Sequence, residues 1–317
     1  MPKIIYLDQN KWIDIACCYT GKGGYEKYGD VCKRIYEKVN SGEWIFPLSA
    51  IHLMETASRQ DKQSRLDLAK VMGELSKSYT ISSYLDMKKY EFDNLLRKLK
   101  EETVVDLSFT AIKKDFLNMV GLSDDKIISN LVDNKQIPLA RNLIQSNNIF
   151  YFLMKEGILD NNISDLMDDK IYYKESFEKL RKDYQRIPDK YNEFKYRYFL
   201  AMQFFESFHD EILLNKDIFN NNLDDIIQDR PKEIIKFLES MPSFSTQFLL
   251  AFKIISNIQR NFDDNDFHDI IFLATAIPYC DIVITEKMWT GIIKNSNLSK
   301  RYNTIVNKDL NHLLSIE

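Results

Sequence analysis

The chain has 317 residues, of which 44% are hydrophobic, and its formal net charge is −4. This length and composition support a sizeable core in one large domain or two, and the mixed charge excludes a wholly basic protein that coats nucleic acid. No apolar run approaches the length of a membrane span, and no signal peptide precedes the first strand, so we expect a cytoplasmic protein. The four cysteines lack Cys-x-x-Cys spacing and are expected to be reduced thiols.

The first sixty residues predict alternating strands and helices. Short β-branched and aromatic runs over 3–8 and 44–48 are too brief for helices and indicate strands. Asn10 is expected to cap a helix after the first strand, and Ser49 a helix after the second. A further helix is predicted over about 25–40.

The middle of the chain has a different pattern, in which strand signals nearly vanish and long amphipathic stretches predict helices. These stretches cover 63–77, 83–101, 108–120, 139–156, 170–184, 190–215 and 231–259. The sequence therefore predicts an all-helical region here.

The last sixty residues return to the α/β pattern, with a helix over 266–277, a strand over 281–285 and a strand-like piece over 302–306. Neither end offers enough parallel strands for a sheet of its own. We therefore expect residues 1–60 and 256–317 to form one discontinuous α/β domain, with a central, mostly parallel sheet. Residues 61–255 would then be a large helical insertion domain.

Acidic residues adjoin several of these elements. Asp8 ends the first strand, Glu55 lies on the helix after the second, and Glu286 follows the last. Asp266 and Asp269 stand at i and i+3 in the first turn of an apolar helix, so their side chains can converge. For each acid taken alone, a capping, turn or surface role is the alternative.

Carboxylates at the carboxyl ends of buried strands are costly to place together unless a cation lies between them. An acidic set without Cys or His ligand spacing fits Mg²⁺ or Mn²⁺ better than zinc. Asp281 opens its strand at the opposite end and is expected to be a structural turn residue.

Three segments of the chain together resemble the PIN-domain nucleases in the order of their strands and acids. They cover residues 4–16, 46–57 and 265–289. The resemblance covers roughly the two ends of the chain and implies a PIN-like three-layer α/β fold. It implies a metal-dependent nuclease, more specifically an endoribonuclease that hydrolyses phosphodiester bonds with metal-activated water.

By this resemblance, Asp8, Glu55 and Asp269 would be the core metal-binding and catalytic acids, with Asp266 an auxiliary or an alternative to Asp269. Many members carry an acid one or two positions after the Thr that follows the last strand. Here Glu286 holds the nearer position and Lys287 the farther one. If Glu286 is the fourth metal-binding acid, its longer side chain shifts the second metal ion. If Lys287 occupies that position instead, only one metal ion binds.

RNA is the expected partner, with DNA as the alternative, and a homodimer or a partner protein bound through the helical region stays open. The stretch 174–197 interleaves basic and aromatic residues, as single-strand binding surfaces do, although an amphipathic helix with its aromatics inward gives the same pattern. Two other functions are alternatives: a PIN-like scaffold without strong catalysis, and a metal hydrolase of small phosphoesters.

Overall fold

The computed structural model describes residues 1–121, 141–142, 146, 148–156, 163–219, 238, 240–263 and 265–317, without the side chains of 163–174 and 191–193. Its α-helices are α1 Gln9–Tyr19, α2 Gly29–Asn40, α3 Ala50–Ala57, α4 Lys62–Ser76, α5 Tyr84–Leu99, α6 Ser108–Ala111, α7 Ile149–Glu156, α8 Ile163–Arg186, α9 Asn192–Ser207, α10 His209–Leu214, α11 Pro242–Ser256, α12 Asp266–Tyr279, α13 Lys287–Asn295 and α14 Leu298–Tyr302. Short 3-10 helices cover Glu26–Tyr28, Phe116–Val120, Asp189–Tyr191 and Leu310–Ser315. No helix in these ranges is long and apolar enough to cross a bilayer.

The strands are β1 Lys3–Leu7, β2 Trp44–Ile45, β3 Thr80–Ile81, β4 Ile112–Lys113, β5 Ile282–Ile284 and β6 Ile305–Asn307. Four of them form a parallel sheet in the order β2-β1-β5-β6. A parallel bridge between Leu48 and Thr80 continues this order to β3, which pairs antiparallel with β4. The expected α/β class with a mostly parallel sheet is confirmed, and the sheet unites strands from both ends of the chain.

Contacts divide the chain into two units, and each is described separately below. Unit 1 comprises Met1–Ser83, Ser108–Met167 and Thr275–Glu317, and unit 2 comprises Tyr84–Leu107 and Asp168–Ala274. These limits differ from the predicted division into 1–60 with 256–317 and an insertion of 61–255.

Unit 1 is larger than predicted because α4 packs against α1. Trp12 and Ile15 lie on one face of α1, and Leu68 and Met72 of α4 belong to the same buried cluster. Helical periodicity in 62–76 indicates an apolar face but does not specify what that face contacts, so the sequence could not assign this helix to the sheet.

The segment 108–120, predicted as one helix, forms three short elements instead. α6 gives way to β4 and then to a 3-10 helix whose first residue follows the cap residue Asp115. Thr80 donates a hydrogen bond to the backbone oxygen of Asp115, and Ser82 donates to that of Thr110 at 2.7 Å. These pairings with β3 override the local helix preference. Parts of the predicted helices 139–156 and 231–259 lie outside the described residues.

Unit 2 is built on phenylalanines. Phe92 of α5 stacks on Phe208 with ring centroids 4.4 Å apart, and Phe204 and Phe244 belong to the same buried cluster. Glu91 is 1% exposed, and its carboxylate accepts the backbone N–H groups of Ser243 (2.7 Å) and Phe244 (3.2 Å) at the start of α11. A side chain of α5 thus satisfies backbone donors at a helix end distant in sequence.

Candidate metal centre at the carboxyl edge of the sheet

Asp8 and Glu286 lie side by side at the carboxyl edge of unit 1. Leu7 and Ile284 end the neighbouring parallel strands β1 and β5, and the backbone N–H of Asp8 donates to the oxygen of Ile284 at 2.9 Å. Each acid occupies the N-cap position of the helix that follows, yet neither side chain makes the capping hydrogen bond to the second or third residue of that helix. Helix capping therefore does not compete with ligand binding at either carboxylate.

Two polar side chains hold these carboxylates. Thr285 Oγ1 donates to Asp8 Oδ2 at 3.3 Å, and Asn10 Nδ2 donates to Glu286 Oε1 at 2.7 Å. Asn10 was predicted to cap α1, but α1 begins at Gln9, so that prediction is wrong. The amide instead links the helix after β1 to the acid after β5.

The electrostatics of Asp8 indicate a place for a cation. Burial raises the pKa of Asp8, and the negative charge of Glu286 raises it further. Hydrogen bonds from Thr285 and from the backbone of Gln9, together with the charge of Lys11, oppose these effects without cancelling them. The ionised Asp8–Glu286 pair is therefore under-compensated by the protein, and a divalent cation would relieve both the burial and the repulsion.

Helix α3, which carries Glu55, is fixed to the end of β1 by two contacts. His52 Nε2 donates to the backbone oxygen of Leu7 at 2.8 Å, and Gln9 Nε2 donates to Thr56 Oγ1 at 3.0 Å. These contacts place α3 beside the end of β1. The Glu55 side chain is partly buried, and its metal-binding role stays a prediction from the sequence.

His52 is the residue that the sequence did not identify as part of this site. Its ring is fully buried, and Nδ1 accepts the backbone N–H of Ser49 at 2.9 Å, so Nε2 carries the proton that Leu7 accepts. Burial lowers the pKa of His52 to about 4, which keeps the ring neutral. The sequence signal was the Ser-x-x-His spacing of 49–52, in which the histidine takes the place of the Glu or Gln of a capping box. The predicted capping role of Ser49 is confirmed.

Asp281 lies at the opposite edge of the sheet. Its Oδ2 accepts the backbone N–H of Ile4 at 2.7 Å, and its own N–H donates to the oxygen of Ile4 at 2.9 Å. The prediction of a structural role for Asp281 is confirmed, because the carboxylate extends the ladder where β5 begins.

Asp266 and Asp269 belong to unit 2, in the first turn of α12. Asp266 is 2% exposed, and its two oxygens accept from Arg260 Nη1 and Nη2, both at 2.6 Å. Asp266 Oδ2 also accepts the backbone N–H of Asp263 at 2.8 Å. Both oxygens of Asp266 are thus engaged within the protein, which favours a structural role for Asp266 over a place in a metal shell. The Asp269 side chain is partly buried, and its metal-binding role stays a prediction from the sequence.

The predicted nucleic-acid surface over 174–197 is only partly described. Tyr184 and Tyr196 pack against the phenylalanine cluster of unit 2, which is the inward-facing alternative. Phe194 and Tyr198 are exposed and stack on each other with centroids 6.0 Å apart. The side chains of Tyr172, Tyr173, Lys174 and Tyr191 lie outside the described part.

The donor set around Asp8 fits a hard cation. Mg²⁺ uses one or two carboxylates and keeps several waters, and Asp8 with Glu286 supplies such a pair of oxygen ligands. Gln9 Oε1 is buried beside Asp8 and has no hydrogen-bond partner among the described residues, which leaves an acceptor for a bound water. Within the same ranges, no group of three or more His, Cys, Asp or Glu side chains is arranged to hold a metal, so a dedicated all-protein cage is not present there.

Comparison of the chain with models of protein families, with curated proteins and with solved structures finds no significant match.

Proposed function

We propose that the protein is a PIN-like, Mg²⁺- or Mn²⁺-dependent nuclease that hydrolyses phosphodiester bonds of RNA. The observation that supports this most is the pairing of Asp8 with Glu286 at the ends of adjacent parallel strands, where neither caps its helix and where burial and repulsion raise the pKa of Asp8. Ligand sites in open parallel sheets lie at this edge. The resemblance of the acidic segments to PIN-domain nucleases gives the reaction class.

In this proposal Asp8 and Glu286 hold the metal, with Glu55 on the same edge as a further ligand or as a base for water. When bound, the metal supplies a Lewis acid that activates water and neutralises phosphate charge. Thr285 and Asn10 orient the two carboxylates through their hydrogen bonds. The metal-binding role of Asp269 stays a prediction from the sequence.

Cleavage of labelled single-stranded RNA with Mn²⁺ tests the assignment, and Asp8→Asn is the decisive variant. We expect its cleavage rate to fall at least roughly 100-fold, because losing a direct ligand costs more than the about 10–100-fold loss for an outer-shell partner. Asp281→Asn is the matched control, since it makes the same substitution at the opposite edge, where the amide oxygen still accepts from Ile4.

Calorimetric titration with Mn²⁺ separates the alternatives. A catalytically weak scaffold would bind no Mn²⁺ at this edge and cleave nothing. Mn²⁺ binding with turnover of nucleotide or sugar phosphates, but not of RNA or DNA, would assign a small-phosphoester hydrolase. Equal RNA cleavage by wild type and Asp8→Asn would refute the catalytic role of this edge.

A further inference from the structure

Unit 2 contains a cavity of about 470 Å³ that the proposed chemistry does not use. It is lined by residues of α8, α9 and α11 and by Phe267 in the first turn of α12. Its volume falls within the about 300–1,000 Å³ that small-molecule and cofactor sites occupy. The cavity is therefore large enough for a heteroaromatic ligand.

Aromatic rings form much of the wall. Phe199, Phe248 and Phe252 line the cavity together with Phe267. Phe252 is held by edge contacts from neighbouring rings, among them Tyr196 with centroids 5.3 Å apart. A wall fixed in this way offers flat faces on which a base can stack without ordering loose side chains first.

Two side-chain amides face the same space. Gln203 and Gln247 both line the cavity, and Gln247 is 8% exposed. Tyr84 donates to Gln247 Oε1 at 3.4 Å, and burial raises the pKa of Tyr84, so the phenol stays protonated as a donor. Gln247 Oε1 thus accepts one hydrogen bond from Tyr84, and the second lone pair of an amide oxygen can accept another from a ligand.

The charged side chains of the lining restrict the ligand. Lys179 contributes one positive charge, whereas Asp183 and Glu206 contribute two negative ones. Asp183 is already paired with Arg186 at 2.8 Å, and Glu206 is the second carboxylate of the lining. This balance disfavours a phosphate within the cavity and favours a group with N–H donors.

We propose that this cavity binds an adenine base, stacked on the phenylalanines and read by the two glutamines. A glutamine amide pairs in bidentate fashion with adenine N6 and N7, and the exocyclic amino group of adenine also suits a carboxylate acceptor. Uracil lacks an exocyclic amino group and cannot make these contacts. The base comes from an RNA strand or from a free nucleoside, and the RNA source rests on the proposed function.

The test measures the anisotropy of fluorescently labelled A6 and U6 oligoribonucleotides in EDTA, where cleavage does not interfere. We expect wild type to bind A6 at least about tenfold more tightly than U6, the discrimination of one bidentate base contact. Gln203→Leu and Gln247→Met, which keep the side-chain volume approximately, should each remove most of this preference. Gln185→Leu is the matched control, because Gln185 is exposed on α8 and does not line the cavity.

Competition by free adenosine identifies the source of the base. Displacement of A6 by adenosine assigns the cavity to a nucleoside, and displacement only by unlabelled A6 assigns it to a base within RNA. Equal binding of A6 and U6 by wild type, or an unchanged preference in both cavity variants with native circular dichroism, would overturn the proposal. Asp8→Asn separates this result from the nuclease proposal, since it should lower RNA cleavage at least roughly 100-fold and keep the A6 preference.

Discussion

The neutral, buried His52 makes the free energy of unfolding depend on pH, and one substitution isolates its contribution. The pKa of His52 falls from 6.5 to about 4 on folding because burial disfavours the charged ring. Between these values the unfolded chain binds a proton that the folded protein does not, so the free energy of unfolding falls as the pH drops. A shift of this size corresponds to about 3 kcal/mol, at about 1.4 kcal/mol for each pKa unit.

The substitution His52→Gln removes the titrating ring and keeps an amide that can donate to the oxygen of Leu7. It leaves the backbone N–H of Ser49 without its acceptor, which should lower the stability at pH 7 by about 1–3 kcal/mol. From pH 7 to pH 4, however, wild type should lose about 3 kcal/mol more than the variant. The other titrating groups contribute equally to the pH dependence of both proteins and cancel in this difference. They include Asp8, whose raised pKa gives a contribution of opposite sign.

Urea unfolding followed by tryptophan fluorescence is the assay, because Trp12, Trp44 and Trp289 are all buried in unit 1, as is His52. The signal therefore reports the unit that contains the substitution. His312→Gln is the control for the general cost of the exchange, since His312 lies in the same unit and is only partly buried. The same loss of stability between pH 7 and pH 4 in wild type and His52→Gln would refute the reasoning.

Three further predictions follow from buried charges. Without metal, Asp8→Asn should raise the stability of unit 1 at pH 7, because a folded-state pKa above the unfolded value costs stability once the pH exceeds it. The variant should also lose the rise in melting temperature that Mn²⁺ gives wild type. A thermal scan with and without EDTA checks both effects, and Mn²⁺ stabilisation of the variant would contradict the metal site. Glu91→Ala should destabilise unit 2 by about 2–4 kcal/mol and speed hydrogen exchange at the N–H of Ser243, whereas unchanged exchange would contradict the capping role. Arg260→Met should cost about 3–5 kcal/mol by leaving Asp266 buried and unpaired, and Asp266→Asn in the same background should recover part of that in denaturant unfolding.

Much of the α/β framework could be predicted because it depends on short-range pattern. The runs over 3–7 and 282–284 are too short for helices and rich in β-branched residues, and each precedes an acid at the start of a helix. The placement of Asp8 and Glu286 at one edge then follows from parallel pairing. The assignment of α4 to unit 1 could not be predicted, since amphipathicity indicates a buried face and not its partner.

The sequence by itself determined which residues can carry chemistry: acids after buried strands, and no Cys or His set for zinc. Only the tertiary structure decided how each acid is used, because that depends on contacts between residues far apart in the chain. It set Asp8 against Glu286 across two strands, gave both oxygens of Asp266 to Arg260, and fixed α3 through a buried histidine that donates to the end of β1. The energy of a carboxylate depends on its neighbours and its burial, and both are properties of the folded chain.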